Sequence, residues 1–316
     1  MSNLDTSPEV TNVERGPSVT EVFESRSVPL GGLRAMHVDR VMPQRGLPTV
    51  GAWCFLDAFG PHDAEMRVLP HPHTGLQTVT WPLAGEIHHR DSLGTDAMVR
   101  PGQLNLMTAG RGVSHSEFSV STGPLHGLQL WIALPADRAT MAPAFEQHVD
   151  LPVYAGAGVT ATVLMGSMGG LSSPATTHTR LVGADLVISG DAVLPLRPEH
   201  EHAVLAVTPL KVAGTSLRKG QLLYLGTGRS SVELFAADGR ALLLGGEPFP
   251  DELVMWWNFV GRDHDEIASA RADWEAADER FGFVAGHDGA RIPAPDLPGV
   301  RLTPRRRRRA EPPQAQ

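Results

Sequence analysis

From about residue 19 to about residue 250, apolar and β-branched side chains fall in short segments, each broken by Gly or Pro. Gln77–Trp81, Leu128–Ile132, Val159–Met165, Ala203–Val207 and Ala241–Leu244 are examples. Short strands at such spacing predict a β-sandwich or barrel. The end of the chain changes period. Asp263 followed by Glu266 has the form of a capping box, with Asp in place of Ser or Thr. Ile267, Ala270, Trp274, Ala277 and Phe281 then recur at three- and four-residue steps, and Gly282 follows as a stop. This predicts a surface helix that lays one apolar stripe on the β-structure.

The β-region carries an internal repeat. RPGQLNLMTAGRG, Arg100 to Gly112, matches RKGQLLYLGTGRS, Arg218 to Ser230, at a constant offset of 118 residues. Two copies of one β-domain follow. The expected division is a solvated, disordered tail over 1–18, an N-terminal barrel over 19–145, a C-terminal barrel with the helix over 146–285, and an extended Pro/Arg-rich tail over 286–316.

Composition narrows the classes. The 33 glycines and 26 prolines disfavour long helices, and 316 residues suffice for two domains. A net charge of −8 makes a poor general nucleic-acid binder, because phosphate neutralisation needs clustered cations. The single cysteine, Cys54, lies in the apolar run Trp53–Leu56 and reads as a small core residue. With no disulfide, no apolar signal core and no membrane-length apolar run, the expected location is the cytoplasm.

Two stretches carry candidate chemistry: HPHTG at His71–Gly75 and HSE at His115–Glu117. A bare HxH is weak, since 14 histidines in this chain give roughly 0.6 such pairs by chance. A second pair, His200 and His202, illustrates this. On a strand, however, residues two apart share a face, so His71 with His73 and His115 with Glu117 can each present two ligands to one side of a sheet. Three imidazoles and one carboxylate leave two octahedral positions open. Such a set suits Fe(II), Mn(II), Ni(II) or Cu(II) better than a closed zinc site.

PHPHTGLQTVTWPLAGEIHHRDSLG with RPGQLNLMTAGRGVSHSE resembles the metal-binding half of the pirin family of cupins. WCFLDAFGP, LLLGGEPF and VMWWNFVGR resemble that family's other signatures, and the likeness spans roughly residues 20 to 285. It implies an all-β bicupin, two stacked jelly-roll barrels, with one metal in the N-terminal barrel held by His71, His73, His115 and Glu117. Fe(II) is the expected metal, with Mn, Ni, Cu or Zn as alternatives. The family includes quercetin 2,3-dioxygenases, which implies a flavonol or other enediol-type substrate and O₂, with Glu117 accepting the substrate proton. It also includes proteins regarded as metal- or redox-dependent regulators of transcription factors or metabolic enzymes, which implies a protein partner instead. Adding the repeat offset to His115 and Glu117 gives Glu233 and Phe235, so one metal rather than two is expected. His200 and His202 are expected roughly at the place of the first pair.

His88, His89, Arg90 and Asp91 read as a polar turn and strand edge, with ligand orientation by His89 or Asp91 as the alternative. His62, His126 and His148 read as ordinary surface or core histidines, and Trp256–Trp257 as packing at the barrel-to-helix junction. Arg305–Arg309 reads as a solvated basic run on an acidic protein.

Overall fold

A computed structural model describes residues 18–30, 36–63, 65–120 and 123–304. Most of the expected N-terminal tail, and the arginine run Arg305–Arg309, lie outside the described residues. The first β-domain has two antiparallel sheets. The smaller orders its strands Arg67–His73, Val113–Ser119, Ile87–Asp91 and Asp96–Val99. The larger runs Ala144–His148, Leu104–Thr108, Leu76–Ala84, Leu125–Ala133, Trp53–His62, His37–Met42 and Arg26–Pro29. The second domain centres on a ten-stranded sheet built around Leu181–Pro195, Ser231–Gly246 and Glu201–Ala206. This is the expected bicupin.

The repeat has a physical basis. In each copy a turn is closed by a glutamine whose side-chain oxygen accepts the amide of an arginine three residues earlier: Gln103 from Arg100 at 3.1 Å, Gln221 from Arg218 at 2.7 Å. The glycine before each glutamine takes a left-handed conformation, φ 81° at Gly102 and 82° at Gly220. Each turn launches a buried strand, Leu104–Thr108 or Leu222–Gly226.

One apolar cluster lies between the domains and joins Trp53, Phe55, Leu76, Val79 and Trp131 of the first to Leu205, Tyr224, Leu242 and Leu244 of the second. Polar contacts fasten the seam. Trp53 Nε1 donates to the carbonyls of Val182 and Gly245. The buried Glu201 carboxylate accepts the Gly51 amide and the Tyr224 hydroxyl, each at 2.7 Å. The strand Glu21–Phe23 crosses to the second domain, where it pairs with Leu222–Tyr224.

The C-terminal segment returns to the first domain. The helix His264–Glu275 is capped by Asp263, whose carboxylate accepts the amides of Asp265 and Glu266. Glu266 reaches back to the Arg262 amide, one residue before the cap. The helix is shorter than the periodicity predicts. It ends at Glu275, Ala277 turns left-handed at φ 54°, and Phe281 lies on a separate 3₁₀ turn capped by Asp278. The apolar stripe survives this break because Ile267, Ala270, Trp274 and Phe281 still share one cluster with Trp256, Trp257 and Phe259. The expected extended tail is anchored at its start: Ala294 and Leu302 are buried in that same cluster. Among the described residues, no helix is long and apolar enough to cross a membrane.

Candidate metal centre

Arg67–His73 and Val113–Ser119 run antiparallel, with His115 opposite His71 and Val113 opposite His73. Strand alternation turns His71 and His73 to one face, and the register sets His115 directly across from His71. The ring centroids of His71, His73 and His115 lie 4.4 to 5.1 Å apart. Each offers a ligand atom within 4.8 Å of the other two, and all three are buried.

The tautomers of two rings follow from their outer contacts. His71 Nδ1 faces the Leu69 carbonyl at 3.0 Å, and His73 Nδ1 faces the Asn258 carbonyl at 3.2 Å. A carbonyl only accepts, so both δ nitrogens carry the proton and both ε nitrogens keep a lone pair. His73 Nε2 is 3.2 Å from His115 Nε2. Burial keeps the rings neutral: it lowers the His71 pKa to about 3 and pushes His73 and His115 well down, with repulsion among the rings adding to the effect. Neutral, convergent imidazole nitrogens are what a divalent transition metal requires, so the residues fit such an ion.

Beneath the rings, His73 meets Trp131 edge-on at 5.2 Å, and Trp131 stacks on Phe55 at 4.0 Å. Phe55 carries the Arg40 guanidinium, which forms a buried two-pronged pair with Asp57 at 2.9 Å. Above them, the C-terminal segment braces the ligand strands. Val260 donates its amide to the Thr74 carbonyl, Ile292 donates to Pro70, and Ser114 Oγ donates to Phe281. A side chain at Gly75 would place Cβ 2.0 Å from the Val260 carbonyl, which explains the glycine of HPHTG.

Glu117 lies beyond an irregularity in pairing between His115 and Glu117. It is not in the three-histidine group. It forms a second group with His89 and His115, again within 4.8 Å. Of the four expected ligands the structure thus clusters three, with Glu117 adjoining through His115. Burial raises the Glu117 pKa. Its Oε1 lies 3.3 Å from Thr80 Oγ1, which donates to Gln129 Oε1 at 2.9 Å. Glu117 and Gln129 are the polar members of a small recess otherwise lined by Leu30, Val38, Phe59, Met66 and Val68.

The reading of His89 and Asp91 as a polar strand edge is overturned. Both are buried, at 3% and 2% exposure, and point inward. His89 Nδ1 is 3.4 Å from His115 Nδ1, and His89 Nε2 is 3.1 Å from Asp91 Oδ2. Their neighbours do occupy the surface: His88 and Arg90 both meet the exposed Asp96. The alternation in Ile87–Asp91 carried the signal, because His89 and Asp91 share the face of the buried Ile87. Thr80, Gln129 and the Asn258 carbonyl had no signal in sequence.

His200 and His202 do not stand at the place of the first pair. Val204 pairs with Leu223 as Thr80 pairs with Asn105, and the partners differ by the repeat offset. Across a register irregularity His202 pairs with Gly226 as Gln77 pairs with Thr108, so His202 falls at the place of Gln77, downstream of His71 and His73. Among the described residues, neither His200 nor His202 joins a three-ligand cluster.

Two family models match the chain: Pirin over residues 35–132 and the pirin C-terminal cupin domain over residues 183–282. A Pseudomonas aeruginosa protein named provisionally as a quercetin 2,3-dioxygenase is 44% identical over 294 residues, covering 90% of this chain and 93% of its own. A pirin-like protein of Caulobacter vibrioides is 34% identical over 292 residues, covering 87% of this chain and 99% of its own. The crystal structure of a quercetin 2,3-dioxygenase from Acinetobacter baumannii superposes with a TM-score of 0.85 at 41% identity, covering 90% of this chain and 97% of that one. Matched along both barrels and carrying a buried histidine cluster in the first, the chain belongs to the pirin family.

Proposed function

We propose that this protein is a mononuclear metal-dependent dioxygenase acting on a flavonol such as quercetin, or on a similar enediol-type small molecule, with O₂ as co-substrate. The observation that carries the reading is the convergence of three buried, neutral imidazoles beside a buried carboxyl group. The 41% identical A. baumannii structure, titled quercetin 2,3-dioxygenase, supports the reaction class. His71, His73 and His115 hold the metal, with Glu117 as the fourth ligand and Fe(II) as the ion. A divalent metal held there supplies a Lewis acid that lowers the pKa of a substrate hydroxyl.

The rest of the chemistry belongs to the chain. Glu117, its pKa raised by burial, accepts the hydroxyl proton. The Thr80 hydroxyl is shared between Gln129 Oε1 and Glu117 Oε1, both acceptors, and so holds the Glu117 carboxyl in place. The side chains of Leu30, Val38, Phe59, Met66 and Val68 supply an apolar wall of the kind an aromatic substrate packs against. The recess holds about 10 Å³, roughly one water, so a flavonol enters only as these side chains move apart.

The test is oxygen uptake with quercetin by Fe-, Mn- and Ni-loaded protein. Uptake with at least one metal is expected. No uptake with any of them, against an active control enzyme, ends the flavonol reading. Glu117→Gln should cut kcat about 10²- to 10⁴-fold, the range for loss of a positioned base.

A further inference from the structure

Among the described residues, His115 is the histidine ligand whose outer nitrogen meets a side chain and not a backbone carbonyl. His71 and His73 are oriented by the carbonyls of Leu69 and Asn258. His115 Nδ1 meets a third imidazole, His89, at 3.4 Å, and His89 Nε2 meets Asp91 at 3.1 Å. From this geometry we infer that Asp91 and His89 are positioning residues, which fix the tautomer of His115 so that its ε nitrogen presents a lone pair to the metal. The inference rests on the metal centre proposed above and is independent of the substrate.

The polarity of the chain starts at Asp91. Its Oδ1 accepts the amides of Leu93 at 2.9 Å and Thr95 at 3.0 Å, within the turn Ser92–Gly94. With Oδ1 taken by two backbone amides, Oδ2 is the acceptor that faces His89 Nε2, so His89 Nε2 donates to it. A metal held on His115 Nε2 leaves that ring's proton on Nδ1, and His89 Nδ1, 3.4 Å away, is the atom placed to accept it. His115 Nε2 is left bare, pointing at His73 Nε2, which is bare for its own reason. Two facing lone pairs 3.2 Å apart are not a hydrogen bond, and a cation ligated by both relieves them.

The relay is held from the side as well. Phe145, on the strand Ala144–His148 of the larger sheet, stacks on His89 with centroids 4.7 Å apart and planes inclined by 26°. His115 also pairs directly with Asp91 across the small sheet. Backbone register and side-chain relay thus link the same two residues.

Asp91→Asn is the discriminating change, since it preserves shape. The amide oxygen keeps the turn amides, and the amide nitrogen, now a donor, faces His89 Nε2. His89 must then protonate Nδ1, and His115 is driven to carry its proton on Nε2, where the metal binds. His89→Leu removes the acceptor and keeps an apolar partner for Phe145. His89→Asn restores an acceptor near the position of Nδ1.

The measurement is zinc affinity by chelator competition, paired with ¹⁵N spectra of the histidine rings in the zinc-loaded protein. Asp91→Asn and His89→Leu should each bind zinc about 10- to 100-fold more weakly, and His89→Asn within about threefold of wild type. In the wild type, the His115 ring should carry its proton on Nδ1. Wild-type affinity in a folded Asp91→Asn protein, or zinc on His115 Nδ1 in the wild type, overturns the inference. The wild-type ring spectrum decides alone if a variant does not fold. A wild-type protein that binds no zinc would instead overturn the metal centre itself, and that result is distinct from these.

Discussion

The two barrels share a strand plan and a turn, yet among the described residues only the first gathers metal-ligand side chains into a cluster. Along Val113–Ser119 the buried positions include Ser114, His115, Ser116 and Glu117. In the second copy, Glu233 and Phe235 at the repeat offset are exposed, and the alternate positions Val232, Leu234 and Ala236 fill an apolar core. The difference shows what a buried polar site demands of its surroundings. The apolar core needs only shape. The histidine cluster needs a partner for every outer nitrogen, and the chain provides these from three places: its own strand at Leu69, the adjacent strand at His89, and the distant segment at Asn258. That requirement explains why the C-terminal segment packs on the first barrel.

The strongest way to break this contrast is to remove a ligand. His73→Ala should lower metal affinity more than 100-fold, beyond the range seen for outer-shell partners. His202→Ala should leave one metal per chain. Metal analysis of both proteins, purified without added metal, checks the pair. Retention of metal by His73→Ala, or its loss from His202→Ala, would place the ion elsewhere. Next in size is Leu234→Ala, which empties part of the second barrel's core. It should cost about 2–5 kcal/mol in urea unfolding and leave the metal stoichiometry intact. A loss of metal together with stability would show that the barrels do not separate these roles.

Much of this was legible in sequence, for identifiable reasons. Strand alternation placed His71 with His73, and the repeat marked the second barrel and its missing His–Glu pair. Alternation also held the clue to His89 and Asp91. His88, Arg90 and the turn that follows mask it by giving the segment a solvated appearance. The C-terminal bracing had no sequence signature. A carbonyl such as that of Asn258 exists at every residue, and only the fold determines which one meets His73. The helix was overextended because Ala277 and Phe281 continue the apolar spacing across a break made by backbone conformation. His200 and His202 were misplaced because an HxH pair carries no register until its strand neighbours are known.

Acid should separate the barrels more gently. A histidine whose folded pKa lies below 6.5 contributes full stability above that pH. The contribution is lost as the pH falls from 6.5 towards the folded value, because the unfolded chain takes up the proton first. The first barrel has three such ligand rings, His71 reaching about 3, together with His126 at about 4; the second has His202 at about 4, with His178 and His200 also lowered by burial. Each ligand ring contributes about 1.4 kcal/mol per pH unit in that window. Asp57 and Glu117 have raised pKa values and oppose this trend, so the clean measurement is a difference. In metal-free protein, His71→Gln should flatten the fall in stability between pH 6.5 and pH 5 by that amount per unit. Equal slopes for variant and wild type would mean that the ring is not held neutral by burial.

The smallest expected effect concerns the end of the chain, where the same contrast becomes a question of anchoring. Arg301 pairs with Asp265 at the start of the helix, and the buried Leu302 donates its amide to His264. Among the described residues, Leu302 is the last one buried in the helix cluster. Deleting residues 303–316 removes Arg305–Arg309 but none of these ties, so metal content, oxygen uptake and the urea midpoint should all match those of the full chain. Deleting residues 291–316 is different. It strips Ile292 from the Pro70 carbonyl beside His71, the Arg291 guanidinium from the face of Trp274, and Ala294 and Leu302 from the core. That longer cut should destabilise the first barrel and weaken metal binding. If the short cut did the same, the basic run would have a part in the metal-bearing barrel. If the long cut did neither, the ligand strands would be held by their own sheet alone.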